Sequence, residues 1–178
     1  MSILSVFHSS SPQQPNKVLT HDEDIVATLA EHGLRLAHAA DAPRIRPGSD
    51  EQTVLDGARH WLDALMSEHG SRAFTLLNSD AAAPAEVDLR DEHVHDAQTV
   101  FAVIAGRAQL SVRVADYVCA VVCEKGDVLV VPAGSRIWLD FGEMPFCLAV
   151  KLSRDDQAVH PRFTGDTSAR AFIGMDEL

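Results

Sequence analysis

The chain has 178 residues, 46% of them hydrophobic, with 26 acidic against 15 basic side chains, a formal charge of −11 and a pI near 5.1. That is enough apolar content for one globular domain over 1–178, and an acidic surface argues against nucleic acid and anionic membrane, which are held by Lys and Arg. Apolar runs are too short for a membrane-spanning helix, the N-terminus lacks the basic region of a signal peptide, and three cysteines (Cys119, Cys123, Cys147) without a CxxC spacing suit free core thiols in a reducing cytoplasm.

Ile3 to Phe7 alternates as a short strand does, and Ser9 to Lys17 is rich in Ser, Pro and Gln, as loops are. Asp22, Glu23 and Asp24 load the first turn of a helix expected to run to His32, where the helix dipole favours negative charge, and Gly33 stops it. Pro43 to Ser49 reads as a second loop. A longer helix is expected from Glu51 to His69. Ser49 or Asp50 caps it, with Gln52 placed after Ser49 as in a capping box, and Gly70 ends it. Val54, Ala58, Trp61, Leu62, Leu65 and Met66 form one apolar stripe, which needs a sheet to lie on. Phe74 to Leu77 is a short strand, and Ala81 to Ala85, with Pro84, is a connection within the domain.

From His93 the period changes from 3.6 to 2. Val100 to Ile104 ends at Ala105-Gly106, and Gln109 to Val114 alternates up to a turn at Ala115-Asp116. Val118 to Val122, Val128 to Val131, Ile137 to Phe141 and Phe146 to Leu152 follow, separated by turns at Glu124–Asp127 and Pro132–Ser135. Short, evenly punctuated strands with no helices between them imply an antiparallel sandwich or barrel. The expected class is therefore mainly β with N-terminal helices (α+β): a helical part over about 1–80 and a barrel over about 90–160, with the long helix packed outside. Within it, His93 and His95 share one face of an extended segment, about 6 to 7 Å apart, close enough for two imidazoles to reach one metal ion.

Several spaced motifs carry a resemblance. Glu92-His93-Val94-His95, Gly106, the run Cys123 to Gly134, Trp138 to Gly142 and Phe163-Thr164-Gly165-Asp166 together resemble the acireductone dioxygenases over nearly the whole chain. The resemblance implies a cupin (jelly-roll) barrel. It implies Fe²⁺ or Ni²⁺ held by three histidines and a glutamate, and O₂-dependent cleavage of an acireductone in methionine salvage. His93 and His95 would be two of the ligands. The family's glutamate, four residues after the second histidine, is here Thr99, and its last histidine is here Ile137; the arginine that follows the glutamate is also lost. Ile has no donor atom and Thr is a poor neutral ligand.

Asp96, Gln98, Asp140 and His160 lie close enough in sequence to be weighed as substitute donors. Asp96 should point away from the metal face, Gln98 needs a bulge to reach it, Asp140 keeps a family position that is not normally a ligand, and His160 would have to fold back after the last strand. His60 and His69, on the long helix, are expected at solvent or at its end. Three functions follow. One is a diverged dioxygenase-like oxidoreductase acting on a small polar substrate, with His93 and His95 as ligands or as an acid/base pair. Another is a catalytically silent cupin that binds a small molecule or a protein. The third is the unchanged family reaction. Monomer and homodimer both fit.

Overall fold

The computed structural model describes residues 1–83 and 87–178; Pro84 and Ala85, at the end of the expected connection, lie outside the described residues. Among the described residues there are eleven strands and two helices, in the order β1 (Ile3–His8), β2 (Lys17–Leu19), α1 (Asp22–Glu31), β3 (Arg35–His38), α2 (Glu51–His69), β4 (Ala73–Ser79), β5 (His93–Val94), β6 (Thr99–Val114), β7 (Tyr117–Glu124), β8 (Asp127–Val131), β9 (Arg136–Asp140), β10 (Cys147–Ser153) and β11 (Arg162–Phe163). Two short 3₁₀ turns, Ser168–Ala171 and Met175–Glu177, end it.

β6 organises the barrel. It is one strand of 16 residues, where the sequence reading expected two separated at Ala105-Gly106. Its first half pairs with β8 and β10, which carry β3 and β4 at their outer edges. Its second half pairs with β7 and β9, and that sheet runs outward in the order β11-β5-β9-β6-β7-β1-β2. Gly106, expected at a strand end, instead lets the strand continue: its φ is +74°, and the β6–β10 register shifts nearby, between Leu148 and Ala149.

Alternation sorts the side chains. Phe101, Val103, Leu129, Val131, Ile137, Leu139 and Ala149 fill the barrel interior together with all three cysteines. Their neighbours Val100, Ala102, Val128, Val130, Val150 and Leu152 face outward against Leu62 and Leu65 of α2, while Val54 and Ala58 of α2 cover Ile104 and Leu148. Burying both faces explains why these strands read as unbroken apolar runs. The C-terminal tail covers part of the other sheet, with Phe172 and Ile173 packed on Phe7, Val118, Ala120 and Trp138.

α2 has the bounds its stripe predicts, and of the two expected caps, Ser49 and Asp50, it uses Asp50. The Asp50 side chain accepts from the Thr53 N–H (2.8 Å). The Ser49–Gln52 box does not form, because Ser49 Oγ donates back to the Arg46 carbonyl and Gln52 donates to Asp56. The short strands β2 and β3 were not expected from the sequence, and only Lys17 falls in a segment read there as a loop.

A methyl group on Gly106 would collide with the Phe146 carbonyl and force a side chain into the left-handed region. Gly106→Ala is therefore expected to destabilise the chain by roughly 2 kcal/mol or more, read as a lowered urea midpoint.

Candidate functional site

β5 hydrogen-bonds between β9 and β11, with His93 opposite Ile137 on one side and Phe163 on the other. Both histidines are buried, His93 completely. Their rings meet edge to face with centroids 5.6 Å apart, and the half-exposed Phe163 ring lies 5.5 Å from His93.

Each imidazole is oriented through Nδ1. His93 Nδ1 lies 2.8 Å from the Asp91 carbonyl, and His95 Nδ1 lies 2.9 Å from the Ala158 carbonyl, in the turn between β10 and β11. A carbonyl only accepts, so both Nδ1 atoms carry the hydrogen and both Nε2 atoms present lone pairs. Among the described residues, His93 Nε2 has no hydrogen-bond partner. His95 Nε2 has one, the Lys151 ammonium at 3.5 Å.

Lys151 is the site residue that sequence reasoning missed. It lies on β10, two residues after the interior-facing Ala149, and alternation turns it into the barrel. It is 2% exposed, and among the described residues no carboxylate forms an ion pair with it. The readable signal was a lone cation inside an otherwise apolar strand.

The other sequence candidates are placed elsewhere. Thr99 is buried, and its hydroxyl donates to the Ala97 carbonyl (3.4 Å). Asp96 is exposed and paired with Arg162 (2.8 Å). Gln98 and His160 are exposed. Asp140 accepts from the backbone N–H groups of Gly142 and Met175. On α2, His60 is exposed and His69 half-buried. Among the described residues, no group of three His, Cys, Asp or Glu side chains is placed to share a metal ion.

These residues do not fit a divalent cation of the Fe²⁺ or Ni²⁺ kind. The two imidazoles are preset as ligands would be, with Nδ1–H on a carbonyl and Nε2 facing inward. The two further positions that the resemblance assigns to ligands, however, hold a hydroxyl turned to its own backbone and an aliphatic chain. One of the two donors faces an ammonium, and a second cation beside that charge would meet strong repulsion in a low dielectric.

The wall behind the histidines is tied down by Glu92, which sequence reading noted only as part of the motif. Its fully buried carboxylate accepts from Arg113 Nε (2.9 Å) and Thr164 Oγ1 (3.0 Å). Arg113 also reaches Ser168 Oγ and lies over the Trp138 and Phe172 rings. Glu92 thus joins β5 to the Phe163–Asp166 segment and the C-terminal tail.

Burial sets the protonation of the site. Desolvation, aided by the nearby Lys151 charge, pushes His93 and His95 down to about 4, and desolvation brings Lys151 down to about 8. At neutral pH the interior therefore holds two neutral imidazoles and one ammonium.

Comparisons with known proteins agree with this architecture. The ARD/ARD' family model matches residues 50–160. Curated proteins named acireductone dioxygenase, from Pseudomonas savastanoi pv. phaseolicola and Pseudomonas fluorescens, are each 40% identical over 99% of this chain and 100% of their own length. The solved structure of an acireductone dioxygenase from Bacillus anthracis, with a cadmium ion in its active centre, superposes with a TM-score of 0.72 at 14% identity, covering 92% of this chain and 98% of that one. At that identity the likeness is one of fold. Among the described residues no helix is long and apolar enough to cross a membrane.

The depressed histidines predict an acid-sensitive fold. Below pH 6.5 the unfolded chain takes up protons that the folded chain refuses until about pH 4, so stability is lost as pH falls through that window. Between pH 7 and pH 5 the pair should cost roughly 4 kcal/mol. Urea unfolding at the two pH values measures it, and a His93→Gln variant should show a smaller drop.

Proposed function

The chain belongs to the acireductone dioxygenase family, and from that premise we propose that it acts on a small, oxygen-rich enediol-type substrate inside the barrel by acid–base chemistry rather than by metal-dependent dioxygenation. The observation that carries this reading is the set of groups at the four family ligand positions. Two are imidazoles with inward Nε2 lone pairs, and two, Thr99 and Ile137, offer no usable donor.

An enediol and its hydroxy-ketone tautomers interconvert by moving one proton between carbon and oxygen. That chemistry needs a positioned base, a group for the developing oxyanion and exclusion of water. His93 Nε2 is the candidate base, being buried and without a partner among the described residues. His95 is held in one tautomer by the Ala158 carbonyl and offers a second acceptor beside it. Ile137 and Phe163 flank His93 as apolar walls that keep water out. Hydroxyacetone is the simplest probe of this chemistry. Catalysed deuterium exchange from D₂O into its C–H bonds, followed by NMR in EDTA, is the expected result, falling at least about 100-fold in His93→Gln.

A second reading, the O₂-dependent family reaction with a divalent metal, is favoured by the 40% identity to proteins of that name along their whole length. Metal analysis of untagged protein separates the two. The acid–base reading expects far less than one Fe or Ni per chain after reconstitution, and no oxygen uptake with an acireductone. A stoichiometric metal that disappears in His93→Ala/His95→Ala, with oxygen uptake, would establish the family reaction instead.

A further inference from the structure

We propose that Lys151 is an oxyanion-binding residue whose ammonium supplies, inside this barrel, the positive charge that a divalent ion would otherwise bring, and that its ligand is a small carboxylate or enolate.

The inference starts from a buried charge without a counter-charge. Lys151 is 2% exposed on the interior face of β10, and among the described residues its one side-chain hydrogen bond, at 3.5 Å, goes to a neutral ring nitrogen. A desolvated ammonium that lacks a carboxylate is strongly unfavourable unless something anionic completes it. Beside it, His93 Nε2 is a second buried polar atom without a partner among the described residues. The two unmet groups belong to one interior: the His93 and His95 rings are in contact, and Lys151 reaches the latter. A protonated oxygen of a bound hydroxy acid or enol can donate to His93 Nε2 while its anionic oxygen accepts from Lys151 Nζ. One ligand of that class then satisfies both.

The flanking side chains are apolar: Phe101 lies opposite Lys151 across the β6–β10 pair, and Ile137 lies opposite His93. The inference rests on the reading of the barrel interior as a substrate site, but not on turnover: glycolate held without catalysed exchange would leave it standing while removing the acid–base function.

Equilibrium dialysis of carbon-14 glycolate, in EDTA and at constant ionic strength, tests it. Wild type is expected to bind one glycolate per chain. Lys151→Met, which keeps the length and loses the charge, is expected to bind at least about tenfold more weakly. Its thermal midpoint should equal or exceed that of the wild type, since replacing a buried unpaired charge with an apolar chain removes a penalty. Should Lys151→Met not fold, Lys151→Gln makes the same comparison with a polar, uncharged side chain. Equal binding by wild type and the uncharged variant overturns the proposal. So does a wild type that binds no glycolate, or one that takes up a stoichiometric Ni²⁺ in the absence of chelator.

Discussion

β6 is shared by both sheets, and the geometry of the interior follows from that sharing. Its first half hydrogen-bonds to β8 and β10, its second to β7 and β9. The strand can serve both only by bending, and the left-handed glycine at 106, beside the register shift against β10, supplies the bend. Once the two sheets face each other, alternation decides which residues look inward. Lys151 and Ile137 are brought to the histidine pair by strands far from it in sequence, and Thr99 looks inward from the start of β6. α2 and the C-terminal tail then bury the outward faces.

The electrostatics of that interior differ from those of a metal centre in one respect. A transition metal is a doubly charged, multiply coordinated ion; an ammonium is a single charge with three hydrogens and no coordination preference. Replacing the first by the second keeps an attraction for negative oxygen and gives up Lewis acidity and redox chemistry. The histidines are neutral acceptors held in one tautomer by backbone carbonyls. Glu92 stands outside this exchange. Its ion pair with Arg113 holds the wall of the site to the tail, which is a structural task.

Much of this was legible in the sequence. The stripe from Val54 to Met66, with Gly70 behind it, marked α2 because a helix on a sheet must bury one face. The period-2 segments marked the strands, and His-x-His marked the inward pair. What escaped had physical reasons. β2 and β3 are too short for a pattern to accumulate, and they exist because β1 and β8 offer edges. A glycine that bends a strand looks, in one dimension, like a glycine that ends it. Lys151 went unread because hydropathy places a lone lysine at the surface. Only the alternation with Ala149, once its facing was known, assigned it to the interior.

The three residues that separate this interior from a metal-binding one lie on three different strands: Thr99 on β6, Ile137 on β9 and Lys151 on β10. A carboxylate introduced at 99 alone would meet an ammonium rather than a metal. A histidine at 137 alone would still leave the set without a carboxylate and with a cation already inside. Removing the lysine alone would leave a neutral pair with too few donors. No single substitution supplies the whole donor set that the family resemblance implies, so assembling it takes coordinated change on three strands at once.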